Sequence, residues 1–168
     1  MSDVLVLMGS ASDEAKVAPC MEVLTSMGVS FTCAITSAHR TPQRTSDLIR
    51  EAEEKGCKVI ICAAGMAAHL AGFVSAHTTK PVIGIPISGS SLQGMDALLS
   101  TVMMPSGFPV ATVALDSAGA RNAAWLACEI LALTDPQIAA GIATARQRME
   151  EGVVKASLAF EAKYQGSG

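Results

Sequence analysis

The sharpest chemical signal in the sequence is the tetrapeptide Ser37-Ala38-His39-Arg40. An arginine can clamp a phosphate or carboxylate through two parallel N–H bonds, and the adjacent histidine titrates near neutral pH, so it can exchange protons with a bound ligand. The structural alternative is that Arg40 pairs with a surface carboxylate while His39 satisfies a loop carbonyl. The choice between the two interpretations depends on what lies beside this segment in the fold.

A second polar segment, Gly9-Ser10-Ala11-Ser12-Asp13, directly follows an apolar run over residues 4–8. This order predicts a buried strand whose carboxyl end opens onto the start of a helix. Exposed backbone N–H groups and the helix dipole favour a phosphate there, and the hydroxyls of Ser10 and Ser12 add hydrogen-bond donors. A plain strand-to-helix connection, with Ser12 or Asp13 as the N-cap, explains this segment equally well.

The elements that position these segments alternate along the chain. Apolar and β-branched runs predict strands over residues 4–8, 31–35, 59–63, 81–87 and 109–115. Helical patterns predict helices over residues 14–27, 42–56, 67–78, 94–102, 118–133 and 136–163, with Thr41 and Asp135 as N-caps. This alternation indicates an α/β fold with a parallel sheet of about five strands and helices on both faces. We expect a single domain over residues 1–168, ending in a disordered tail from about residue 164.

In an open parallel sheet, ligands bind at the carboxyl ends of the strands. Four polar loops meet there: residues 9–13, 37–40, 64–69 and 88–91. This convergence places His39 and Arg40 beside the first loop and favours their functional interpretation. His69 either lines the same cleft or is a packed, hydrogen-bonded residue of its helix, and His77 is predicted to be a helix-end surface residue.

Motifs for other chemistries are missing from the sequence. It contains neither G-x-G-x-x-G nor a P-loop, and neither a G-x-S-x-G elbow nor H-E-x-x-H. The residues alone therefore predict that a phosphorylated small molecule is handled by one acid–base group.

Composition limits the remaining possibilities. Hydrophobic residues make up 50% of the 168 residues and charged residues only 16%, too few to cover a soluble monomer, which predicts a homo-oligomer. The net charge of −3 argues against a nucleic-acid partner.

Residues 59–76 reach the ~18-residue length of a membrane span, but they divide into a strand, a glycine turn and a helix, so no membrane partner is expected. With no signal peptide before the first strand, we expect a cytoplasmic protein. The five cysteines are predicted to be buried, reduced thiols without a metal.

Several ordered motifs together resemble the PurE family, the N5-carboxyaminoimidazole ribonucleotide mutases of purine synthesis. They are M-G-S-A-S-D at residues 8–13, S-A-H-R-T-P at 37–42, A-A-H-L at 67–70, G-M-D-A-L-L-S at 94–100 and M-P-S-G at 104–107. The resemblance extends to about Leu133. It implies a flavodoxin-like, doubly wound three-layer α/β/α sandwich with C-terminal helices, assembled as a homo-octamer without a metal or organic cofactor.

The resemblance also implies roles for individual residues. Ser10 and Ser12 would bind the substrate phosphate and Asp13 the ribose, Ser37 and Arg40 would be further phosphate ligands, and His39 would be the general acid–base. The remaining residues implied to bind substrate are Ala38, Gly65, His69 and Leu70. The substrate implied is an aminoimidazole ribonucleotide whose carboxylate moves from N5 to C4.

Three departures from the family pattern bear on this interpretation. Met66 stands where the family usually has glycine, and would strain the loop if its φ is positive. Ala71 replaces a proline. Ser106 is also typical of a related branch that carboxylates aminoimidazole ribonucleotide directly with CO2, although that branch usually has lysine where this chain has Arg40. The direct carboxylase, and a non-catalytic nucleotide-binding oligomer supported only by Met66, remain the alternatives.

Overall fold

The computed structural model describes residues 2–165 and contains a five-stranded parallel sheet. Its strands are β1 (Val4–Met8), β2 (Phe31–Ile35), β3 (Val59–Gly65), β4 (Val82–Ile87) and β5 (Ala111–Thr112). The strand order is β2-β1-β3-β4-β5, and all four pairings are parallel. The order reverses between β1 and β3, so the ligand-binding edge of a flavodoxin-like sheet lies at the carboxyl ends of these two strands.

The predicted strands differ from the observed ones mainly at their ends. β3 continues two residues beyond the prediction because Ala64 and Gly65 pair with Pro86 and Ile87. The prediction of a fifth strand over residues 109–115 was wrong in length. Only two of its residues, Ala111 and Thr112, pair with β4, and the chain on either side of them is irregular.

Six α-helices within residues 2–165 surround the sheet. They are α1 (Glu14–Ser26), α2 (Pro42–Glu54), α3 (Leu70–Ser75), α4 (Met95–Val102), α5 (Asp116–Ala132) and α6 (Pro136–Gln165). α1 continues through the buried Pro19, and Asp135 caps α6 by accepting from the N–H groups of Gln137 and Ile138. The prediction of a helix over residues 67–78 was wrong in length, because residues 66–69 remain a loop and α3 spans only six residues.

The helices form a layer on each face of the sheet, which confirms the three-layer sandwich. On one face, buried residues of β1, β3 and β4 pack against α1, α5 and α6. On the other face, the alternate residues of β1 and β3 pack against α2 and α3. α4 covers β4 on this second face, where Thr101 lies over Gly84. The three central strands are therefore buried on both sides, as their continuous apolar sequences predicted.

Other expectations from the sequence have mixed outcomes. Cys33 is exposed on the edge strand β2, contrary to the prediction of buried thiols, whereas the other four cysteines are buried and free. Among residues 2–165, no helix has both the length and the apolarity that crossing a membrane requires. The predicted tail begins too early, because α6 includes Tyr164 and Gln165, and residues 166–168 lie outside the described part of the chain.

Candidate active site

A cavity of about 560 Å³ opens at the carboxyl ends of β1, β2, β3 and β4. All ten residues that the sequence predicted for the site line it: Ser10, Ser12, Asp13, Ser37, Ala38, His39, Arg40, Gly65, His69 and Leu70. The parallel strands bring these residues together, since their ends lie at one edge of the sheet. The chemical role of each residue stays a prediction.

The loop after β1 presents a compact set of oxygen atoms to the cavity. Residues 11–13 form one turn of 3-10 helix, and Ser10 caps it by accepting from the Ser12 N–H at 3.3 Å. The Ser10 and Ser12 hydroxyls lie 2.8 Å apart, and the Ser12 hydroxyl donates to Asp13 Oδ1 at 3.3 Å. Asp13 precedes α1 but makes no side-chain cap, so its carboxylate keeps accepting capacity for a ligand hydroxyl.

The loop after β2 is held in shape by threonine hydroxyls. Thr41 occupies the predicted N-cap position of α2, but its side chain makes no capping hydrogen bond. Instead, the Thr41 hydroxyl accepts from the Ser37 N–H at 3.0 Å and lies 3.2 Å from the Ser37 carbonyl oxygen. The Thr36 hydroxyl lies 3.2 Å from the Thr41 hydroxyl and 2.8 Å from the buried Thr45 hydroxyl. These contacts close residues 37–41 into a fixed turn before the helix.

Arg40 is available for a ligand in this structure. Its backbone N–H donates to Ser37 Oγ at 3.2 Å, but its guanidinium makes no ion pair or hydrogen bond within residues 2–165. The structural alternative of a surface carboxylate partner is therefore wrong for the described residues. An unpaired guanidinium beside two serine hydroxyls suits an anion.

His39 and His69 contact each other across the cavity. His69 Nδ1 lies 3.1 Å from His39 Nε2, and the ring centroids are 5.0 Å apart. A hydrogen bond at this distance needs one of the two nitrogens protonated and the other free. The two histidines can therefore share one proton. The structural alternative, in which His39 satisfies a loop carbonyl, is wrong, because His39 contacts His69 instead. His77 is exposed and lies after α3, outside the cavity lining, as predicted.

The loop that carries His69 includes two unusual backbone positions. Met66 has φ +55° and a 65% exposed side chain, so the strain expected from the departure at this position is present. A Cβ at Gly65 would lie 2.9 Å from the Ile87 carbonyl oxygen, and only glycine fits without a shift of the backbone. Both residues line the cavity.

Two residues near the site were missed by sequence reasoning. Lys16 of α1 and Asp116 at the start of α5 form an ion pair of 3.1 Å, and both contact Ser88 at the cavity wall. Lys16 could have been noticed as a cation one turn into the helix after the serine loop. Asp116 carried no sequence signal.

Ser88 and Gly89 line the cavity, whereas Ser90 and Ser91 of the same predicted loop do not.

The motifs at residues 94–100 and 104–107 lie outside this cavity. Met104 packs against α3, where its Sδ lies 3.2 Å from the position of a Cβ on Gly72. Large apolar side chains nearby are exposed, namely those of Leu92, Met95, Leu99, Val102, Met103 and Phe108. Within residues 2–165 no cluster of three or more histidines, cysteines or carboxylates has metal-binding geometry.

Together, the sheet order and the cavity define the class of this protein: a flavodoxin-like α/β protein with a candidate anion site and a histidine pair at the switch point of its sheet. The sequence model of the family described as "AIR carboxylase" matches residues 3–152. The chain therefore belongs to the AIR carboxylase family, and the PurE resemblance is confirmed.

Similar proteins agree with this assignment. The N5-carboxyaminoimidazole ribonucleotide mutase of Brucella melitensis is 45% identical, over 91% of this chain and 94% of the relative. The mutase of Thermotoga maritima is 43% identical, over 96% of this chain and 93% of the relative. The crystal structure of Treponema denticola PurE has a TM-score of 0.84 and 29% identity, covering 96% of this chain and 97% of that chain.

Proposed function

We propose that this chain is an N5-carboxyaminoimidazole ribonucleotide mutase, which moves a carboxylate from N5 to C4 of the aminoimidazole. The AIR carboxylase family model and the relatives named as mutases support this function. The observation at the site that carries it is the contact of His39 with His69 in the same cavity as the unpaired Arg40. These residues supply a proton carrier beside an anion site, which the reaction needs.

We assign the substrate phosphate to the serine loop and the arginine. The Ser10 and Ser12 hydroxyls, the Ser37 hydroxyl and the Arg40 guanidinium all line the cavity and can donate to phosphate oxygens. Asp13 accepts from the ribose hydroxyls. With the phosphate and the ribose bound in this way, the imidazole would lie towards the histidine pair.

The reaction balances through one proton on the histidine pair. When the N5 carboxylate leaves as CO2, the electron pair of the broken C–N bond stays on N5, which takes a proton from His39. C4 of the resulting aminoimidazole then attacks CO2 to form the new C–C bond. His39 removes the proton that C4 carried, so the catalyst returns to its first state. His69, 3.1 Å away, orients the His39 ring and accepts or donates through the shared hydrogen bond.

The intermediate CO2 must be kept in the site until C4 captures it. Ala38 and Leu70 are buried residues of the cavity lining and present apolar surface beside the histidines. Gly65 and the backbone of Ile87 close another part of the wall. A dry, shaped pocket of this kind favours recapture over escape to solvent.

Two substrates distinguish the mutase from its alternatives. Purified protein is given either the N5-carboxylated ribonucleotide or aminoimidazole ribonucleotide with bicarbonate, and the C4-carboxylated product is followed. Product from the first substrate, without exchange with labelled CO2 in solution, is the expected result. Product mainly from the second would favour the direct carboxylase, which Ser106 and the family's description support. Product from neither would leave the non-catalytic oligomer.

The role of His39 is tested by His39→Asn, with His77→Asn as the matched control. We expect His39→Asn to abolish turnover while aminoimidazole ribonucleotide still binds, measured by calorimetry, because the phosphate ligands are unchanged. His77→Asn removes an exposed imidazole outside the cavity and should retain full activity. Near-normal turnover by His39→Asn would exclude this residue as the acid–base.

We further propose that the chain assembles as a homo-octamer. Beyond the exposed apolar residues around α4, the second half of α6 exposes Met149, Val153, Val154, Leu158, Phe160 and Tyr164. Large apolar patches on both elements are typical of subunit contacts. Native mass spectrometry should give eight times the chain mass of 17.2 kDa, and any other stoichiometry would contradict the proposal. The cytoplasmic location and the single domain stay predictions of the sequence.

A further inference from the structure

A network of three side chains lies behind the cavity wall formed by Ser88 and Gly89. The Lys16 ammonium donates to the Ser88 carbonyl oxygen at 2.5 Å and contacts the Ser88 hydroxyl at 2.8 Å and Asp116 Oδ1 at 3.1 Å. Asp116 in turn accepts from the Ser88 N–H at 2.9 Å and from the Ser88 hydroxyl at 2.5 Å. Ser88 is thus held through its carbonyl, its N–H and its hydroxyl.

These contacts suit a positioning role better than direct binding of the ligand. An ammonium group has three N–H donors, and Lys16 has three acceptors within the chain. It could contact a ligand only by giving up one of them. Arg40, by contrast, has a guanidinium without a partner in residues 2–165.

Asp116 combines an unusual backbone conformation with a charged carboxylate. Asp116 has φ +55°, a left-handed conformation that is uncommon for a residue with a side chain. Such strain persists where surrounding contacts fix the residue. Burial acts to raise the pKa of Asp116, but the hydrogen bonds from Ser88 and Lys16 outweigh it and lower the pKa, so the carboxylate stays charged and the ion pair intact.

The network joins three elements at one point of the site. Lys16 lies in α1 just after the serine loop, Asp116 begins α5, and Ser88 follows β4, whose last residue pairs with Gly65. Gly89, next to Ser88, lines the cavity, and its N–H makes no hydrogen bond within residues 2–165. Fixing Ser88 therefore fixes a free backbone donor at the wall.

We propose that Lys16 and Asp116 are positioning residues that hold the Ser88–Gly89 wall in the geometry that binds the anionic ribonucleotide. The proposal rests on the proposed function for the identity of the ligand. It assigns the two residues to substrate binding, and the proton transfers remain with the histidine pair.

The test compares Lys16→Met and Asp116→Gly with Lys58→Met. Lys58 also pairs with an aspartate, Asp3 at 2.9 Å, but at the opposite, amino-terminal end of the strands, so it is a matched control. We expect Lys16→Met and Asp116→Gly each to raise the KM for the N5-carboxylated ribonucleotide about tenfold while kcat changes less than threefold. The double variant should be no worse than either single variant, since both act through Ser88. Lys58→Met should leave KM and kcat within twofold.

Calorimetric binding of aminoimidazole ribonucleotide separates this proposal from the proposed function. If the native protein shows no turnover but binds this probe, a tenfold weaker Kd in both variants supports the positioning role independently. A native protein that binds no probe overturns it. Unchanged KM and Kd together with a lower Tm would overturn it too, because the network would then serve stability alone. Asp116→Gly relieves the strained φ and is the variant expected to fold best; loss of the fold in both single variants would likewise refute the proposal.

Discussion

Replacing Gly65 with alanine would place a methyl group 2.9 Å from the Ile87 carbonyl oxygen. Ordinary carbon–oxygen contacts lie at about 3.3–3.6 Å, so the two groups must separate by roughly 0.4–0.7 Å. The oxygen belongs to the backbone of β4, and Gly65 and Ile87 are partners in the sheet register. No flexible side chain can absorb the shift, and the end of β3 or of β4 must move.

The expected cost follows from this overpacking. Forcing extra volume into a packed region destabilises a protein by about 1–3 kcal/mol, which for a chain of this size lowers Tm by roughly 2–12 °C. Both residues line the cavity, so the shift also displaces the wall next to His69. Misplacement of a site by about 1 Å can cost about 100-fold in rate, and we expect a loss on the order of tenfold in kcat/KM for this smaller shift.

Gly9→Ala is the matched control, because Gly9 also lines the cavity at the end of a central strand. A Cβ there would find its nearest neighbour at 3.6 Å, an ordinary contact. Thermal unfolding followed by circular dichroism, at one protein concentration because an oligomer's Tm depends on it, should show Gly9→Ala within about 2 °C of the native protein. Equal Tm values for both variants, or a native-like kcat/KM for Gly65→Ala, would refute the reasoning.

Three further predictions follow from the structure. Met66→Gly relieves the φ of +55° and should raise Tm by roughly 2–4 °C. Ala67→Gly, at the next residue but without a positive φ, should lower Tm. A lower Tm for both variants would show that Met66 is not strained. Ellman's reagent should titrate one fast thiol per native chain, that of the exposed Cys33, and loss of this thiol in Cys33→Ser checks the assignment. The Ser30 hydroxyl lowers the pKa of Asp3 below its ordinary value, so the charged Asp3 stabilises the fold above its unfolded pKa. This contribution is lost as the pH falls through the lower folded value. Asp3→Asn should therefore flatten the dependence of Tm on pH below about pH 4, and an unchanged slope would count against it.

The sequence by itself determined the order and type of the elements. The apolar runs at residues 4–8, 59–63 and 81–87 predicted strands covered on both faces, because the inner strands of a parallel sheet have no solvent-facing side. Polar, glycine-containing loops at their ends then marked one edge of the sheet. The resemblance added the family and the residues that now line the cavity, because its motifs are contiguous in the chain.

What the sequence left open were the contacts between residues far apart in the chain. Neither the 3.1 Å contact between His39 and His69 nor the ion pair between Lys16 and Asp116 is encoded in any local period or spacing. The exposure of Cys33 depends on the edge position of β2, and the shortness of β5 depends on how few of its residues pair with β4; sequence order gives neither. Periodicity reports how a segment folds on itself, whereas these features depend on which strands become neighbours. Only the tertiary structure decides that order.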